Sequence, residues 1–141
     1  MEVRIEYLAG SKFQAVARNH YVISDQPPAL GGADQGMTPP ELLLASLGTC
    51  AGYYAAQYLQ TRGLSTKGLK VLVTAEKGSA PARLASFRVE VEAPGVTDGR
   101  HRDAILRTVE KCLIHNTLRQ AAQIDVLVRT GGSPTATADA A

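Results

Sequence analysis

At 141 residues the chain is sized for a single domain, and 45% apolar against 20% charged residues excludes a largely disordered polypeptide. A net charge of +2, from 15 basic and 13 acidic residues spread along the length without a basic run interleaved with aromatics, argues against nucleic acid as a partner. Two cysteines are too few for a disulfide scaffold, and the opening MEVRIEYLAG lacks the charged-then-apolar design of a signal peptide, so a reducing cytoplasm is the expected compartment.

The first segment alternates, Val3, Ile5 and Tyr7 against Glu2, Arg4 and Glu6, as a half-buried strand does. Gly10 and Ser11 turn it into a second strand through Phe13, Ala15 and Ala17, and a third covers Tyr21 to Ser24. Residues 25–37 (DQPPALGGADQGM) are turn formers and read as a flexible loop, since the Gly-Gly pair has neither the GxGxxG spacing nor the lysine of a phosphate cradle.

Thr38-Pro39-Pro40-Glu41 then supplies a cap, two prolines tolerated in a first turn and a glutamate at the capping-box position. The helix this predicts runs to about Arg62, where Gly63 ends it, and its apolar character nearly all round marks a central helix covered on most sides. Leu42 to Thr61 is uncharged for twenty residues, a membrane-spanning length, but Ser46, Thr49, Gln57, Gln60 and three tyrosines suit burial in protein better than lipid.

Leu69 to Glu76 and Ala85 to Ala93 form an expected hairpin around a loop with Gly78 and Pro81. A second helix from about Asp98 puts Ile105, Val109 and Cys112 on one stripe, and a short helix is expected around Asn116 to Ala122. Ile124, Val126 and Val128 alternate as a last strand, whereas residues 130–141 (TGGSPTATADAA) are small and polar, an expected disordered tail. The order βββ-α-ββ-α-α-β is an α+β fold with a mostly antiparallel sheet packed on helices, one domain over residues 1–129.

Taken singly, Cys50 and Cys112 each have a plain reading as small buried hydrophobes on apolar helices. As a pair they have a second one. A thiolate attacks a peroxide to give a sulfenic acid, and a second cysteine within reach condenses with it to a disulfide. A separation of 62 residues excludes a CxxC motif and leaves open whether the sulfurs meet. Cys50 lies too far along its helix to draw on the N-terminal dipole, so a reactive thiolate there needs a cation from elsewhere. A zinc site from Cys112 and His115 with Cys50 or His20 lacks the second close ligand pair such sites normally have.

TPPELLLASLGTC (Thr38 to Cys50) and KCLIHNTL (Lys111 to Leu118) resemble the two signature segments of the OsmC/Ohr superfamily, the osmotically inducible and organic hydroperoxide resistance proteins. The resemblance extends in element order to about residue 129. It implies antiparallel sheets wrapped around a long cysteine-bearing helix in an intertwined homodimer, with each site built from both chains. It implies Cys50 as peroxidatic and Cys112 as resolving cysteine, with Arg18 at the end of the second strand and Glu41 at the helix start holding and activating the thiol. No metal or organic cofactor is implied; the partners are an organic hydroperoxide and an external dithiol reductant. Leu113 stands where the Ohr branch carries a proline after its second cysteine, which aligns the chain with OsmC-like members. A non-catalytic relative that binds a small apolar ligand, and a redox sensor using the same pair without turnover, are the alternative readings.

Overall fold

The computed structural model describes residues 1–120 and 122–131. The chain opens with three antiparallel strands, β1 (Arg4–Ala9), β2 (Lys12–Ala17) and β3 (His20–Ser24), in spatial order β1-β2-β3. After a 3₁₀ turn at Pro28–Leu30 comes α1 (Pro39–Thr61), followed by the hairpin β4 (Lys70–Ser79) and β5 (Ala82–Glu92), then α2 (Gly99–Val109) and α3 (Leu113–Arg119). The mixed α+β architecture is the expected one, and the strands pair within two separate antiparallel sheets.

The hairpin shows why the sequence folds as it does. Its alternation sends Val71, Val73 and Ala75 of β4 and Phe87, Val89 and Val91 of β5 to one half-buried face, and α1 packs along that face. Leu47, Ala51, Ala55 and Leu59, four residues apart, form the buried stripe of α1. Gly48 and Gly52 let the helix lie close: a Cβ on Gly48 would sit 3.0 Å from a methyl of Val73, and one on Gly52 would sit 3.4 Å from a methyl of Val71. Ile105 of α2 closes the core against Ala55 and Leu59. Behind it, the Tyr58 hydroxyl meets Nδ1 of His101 at 2.8 Å. Both strands run further than expected, through Gly78 and to a turn at Ala80-Pro81, with the irregularity taken up by a register shift after Glu76.

Three expectations need correction. Cys112 is not on the second helix: α2 stops at Val109, and Cys112 caps the next helix, which spans Leu113–Arg119 in place of Asn116 to Ala122. The expected last strand is not formed by residues 122–130, where Ile124, Val126 and Val128 lie exposed with no neighbouring strand among the described residues to complete a ladder. The loop before α1 is ordered. Asp25 is buried, and its carboxylate accepts from Ser11 Oγ at 2.6 Å and from the backbone N–H groups of Gln26, Ala33 and Gln35. The Ser11 hydroxyl and those three amides hold its pKa down to about 2. A Cβ on Gly32 would collide with the Gln26 carbonyl, so the loop closes only around glycine there. The expected tail falls mostly on residues 132–141, outside the described residues.

No described helix is long and apolar enough to cross a membrane.

Candidate active site

The fold brings the two cysteines together. Their Cα atoms are 6.0 Å apart and their sulfurs are bonded as a disulfide, within the reach such a bond requires. The partners differ in access. Cys50 is half-buried, one residue before the buried Ala51 and so at the edge of the α1 stripe, whereas Cys112 is fully buried at 0% exposure. The break between α2 and α3 produces that difference: residues 110–112 turn the chain so that Cys112 points back under α1.

On the Cys112 side of the pair lies a cavity of about 340 Å³ whose walls include Leu47 and Ala51 of α1, Phe87 and Val89 of β5, and Cys112, but not Cys50. Glu110, His115 and Arg119 supply its polar groups. Cys112, His115 and Arg119 recur at i, i+3 and i+7, the spacing of one helical face, a signal present in KCLIHNTLR that singles out Arg119 once the helix start is known. His115 donates from Nδ1 to the Glu110 carbonyl at 3.0 Å, a direction fixed because a carbonyl oxygen can only accept.

Glu41 is engaged where the capping reading puts it. Its carboxylate accepts from the Thr38 N–H at 2.7 Å and from the Thr38 hydroxyl at 2.8 Å, and these bonds, the backbone one foremost, hold its pKa below the usual carboxylate value. Arg18 sits at the tip of the β2–β3 turn, exposed, with a left-handed φ of 55°. Among the described residues no hydrogen bond or ion pair joins it to Glu41 within one chain, and the sheet that carries it makes no substantial contact with α1. The chain thus assembles the cysteine pair by itself and leaves Arg18 outside it.

That sheet has an uncovered apolar face. Ile5, Ala15 and Val22 line up across the strands, beside the Tyr7 and Phe13 pair whose rings stack edge to face at 5.6 Å. Ile5 is 59% exposed, so the half-buried strand expected for residues 3–7 is not buried by its own chain. Among the described residues, no three His, Cys, Asp or Glu side chains converge as metal ligands.

The OsmC family, described as OsmC-like protein, matches residues 31–127 and so spans the long helix, the hairpin and both cysteines. The chain belongs to the OsmC family. Solved structures share its fold: a protein from Psychrobacter arcticus at 18% identity and TM-score 0.75, covering 82% of this chain and 85% of the other; and an OsmC-like protein from Mycoplasma pneumoniae at 19% and 0.73, covering 85% and 87%. An organic hydroperoxide resistance protein from Elizabethkingia anophelis is similar at 20% identity and 0.57, covering 86% and 90%. No curated protein matches the sequence.

Proposed function

We propose that this OsmC-family chain is a thiol-dependent peroxidase that reduces organic hydroperoxides to alcohols in oxidative-stress defence in the cytoplasm. The carrying observation is the asymmetric cysteine pair, one residue half-buried on the long helix and the other fully buried within bonding distance. In this reading the Cys50 thiolate attacks the outer peroxide oxygen, the O–O bond breaks, and the alcohol leaves. Cys112 then attacks the Cys50 sulfenic acid, expelling water and forming the disulfide. An external dithiol restores both thiols, attacking at Cys50 because Cys112 is covered. No metal or organic cofactor takes part.

The activating cation is Arg18, acting with Glu41. Two observations support it. An arginine at positive φ occupies backbone that costs a non-glycine residue strain, a feature that clusters at functional sites. The sheet behind it presents an apolar face that the described residues leave open. Both fit a homodimer in which Arg18 of the partner subunit reaches the Cys50 helix and guanidinium and carboxylate fork together. The apolar side chains Leu47 and Ala51, on the same helix as Cys50, suit alkyl or aryl hydroperoxides.

Mass spectrometry after a stoichiometric dose of cumene hydroperoxide tests the reading. The reduced protein forms the Cys50–Cys112 disulfide, and C112S accumulates sulfenic acid on Cys50. Absence of both overturns the peroxidase and leaves a cavity-bearing protein that binds without turning over.

A further inference from the structure

We infer that His115 is the proton-transfer group for the Cys112 thiol, an inference that rests on the peroxidase reading for its place in a catalytic cycle. His115 lines the cavity that Cys112 lines, one helical turn further along α3. The hydrogen bond to the Glu110 carbonyl occupies Nδ1 as donor, so in the neutral ring the accepting nitrogen is Nε2, which has no hydrogen-bond partner among the described residues. A base is needed here. Cys112 is fully buried, and burial in apolar surroundings penalises the thiolate that must form before it attacks.

The charged groups that share the cavity are Glu110 and Arg119, while α1 and β5 present only apolar side chains, Leu47, Ala51, Phe87 and Val89. Neither charged group is a good substitute. The guanidinium of Arg119 keeps its protons, and a carboxylate is a weak base for a thiol. The imidazole is the side chain that both accepts and returns a proton near neutrality.

The step balances. As the Cys112 sulfur attacks the Cys50 sulfenic sulfur, Nε2 takes the thiol proton, the S–S bond forms, and the S–O bond breaks with its electron pair on oxygen. The leaving oxygen collects the proton from the imidazolium and departs as water. Cys112 sulfur is oxidised and Cys50 sulfur reduced. In reductive recycling, His115 takes the proton of the attacking dithiol sulfur, that sulfur bonds to Cys50, the Cys50–Cys112 bond breaks with its electron pair on Cys112, and the imidazolium protonates it. The second dithiol sulfur then displaces Cys50 as the dithiol closes to its own disulfide.

The test has two arms, each on wild type, H115N and H115A, with folding checked by circular dichroism. H115N keeps an amide donor for the Glu110 carbonyl but no base. In the first arm, after stoichiometric cumene hydroperoxide, Cys50 sulfenic acid forms at the wild-type rate while the disulfide forms roughly 10²-fold more slowly in both variants, the lower end of what general acid–base catalysis supplies. In the second, which needs no peroxide, dithiothreitol reduces the preformed disulfide more slowly in both variants. Free imidazole restores both rates in H115A, where truncation leaves room for it, a response that a structural role for the ring would not give. Wild-type rates in both variants, or slowing that imidazole does not relieve, overturn the inference. If Cys50 is never oxidised even in wild type, the peroxidase reading falls, and the dithiothreitol arm still decides for or against His115.

Discussion

The hairpin β4–β5 and the three-stranded sheet β1–β3 have the same kind of sequence, strands that alternate apolar and polar residues, and opposite surroundings. Val71, Val73, Phe87 and Val89 turn to α1 and are half-buried, whereas Ile5, Tyr7, Phe13 and Val22 are exposed, with nothing covering them among the described residues. Alternation is a property of a strand, while burial is a property of what lies opposite it. An uncovered sheet face of this kind marks an interaction surface.

The sharpest way to break the comparison is to place the same charge on each sheet. V89D puts a carboxylate between α1, α2 and β5, where an unpaired charge costs several kcal/mol; chemical denaturation should show a chain that no longer folds cooperatively. I5D should leave the monomer folded and convert the proposed dimer to monomer in sedimentation at micromolar concentration, with the proposed peroxide turnover lost alongside. A stable monomer in the unmutated protein would remove the proposed role of the sheet.

R18A asks whether the open sheet serves the site. An unassisted thiol is only a few per cent ionised at neutral pH, so oxidation of Cys50 should slow by one to two orders of magnitude and recover as pH rises. R119A, which removes the cation that lines the Cys112 cavity, should leave that step nearly unchanged; the reverse ranking in stopped-flow measurements would transfer the activating role to α3.

G48A probes the covered side more gently. Its methyl would press on Val73, and overpacking of this sort costs about 1–3 kcal/mol, read as a lower denaturation midpoint with the disulfide still able to form.

The mildest change is D25N. Because the folded pKa of Asp25 lies at about 2, below its ordinary 3.8, the unfolded chain binds more protons across that interval. Stability from this carboxylate is therefore complete above pH 4 and fades as pH falls toward 2. D25N should flatten the acid limb of a denaturation-versus-pH curve between those values and lower stability at neutral pH, where the anion accepts four hydrogen bonds.

Much of this was readable from residues. The start of α1 was written in Thr38-Pro39-Pro40-Glu41, and the capping hydrogen bonds are there. The hairpin was written in the alternation of Leu69 to Glu76 and Ala85 to Ala93, and two family-like segments implied a working pair in Cys50 and Cys112, while their spacing left open whether the sulfurs meet. What stayed hidden depended on tertiary partners. Nothing in DQPPALGGADQGM distinguishes a slack loop from one cinched by Asp25, because the Ser11 that completes the network lies fourteen residues away. The helix break before Cys112 lacks a glycine or proline to announce it, so a continuous stripe was the natural reading of Ile105, Val109 and Cys112. Ile124, Val126 and Val128 have strand-like spacing, but a strand needs a neighbour, and spacing does not supply one.

The Asp25 network also fixes how this protein would find a second copy of itself. One carboxylate fastens the β1–β2 turn at Ser11 to the loop at Ala33 and Gln35, and the backbone then pairs Ser24 with Met37 directly before α1. The apolar sheet is therefore held to the N-terminal end of the long helix at both ends of the connecting loop, leaving no slack tether on which it could swing. Formation of the proposed homodimer is then a collision of two preformed surfaces, its rate governed by orientation and concentration and little by chain reordering. Loosening that carboxylate would convert a docking event into a search, and slow assembly before it altered any atom of the cysteine pair.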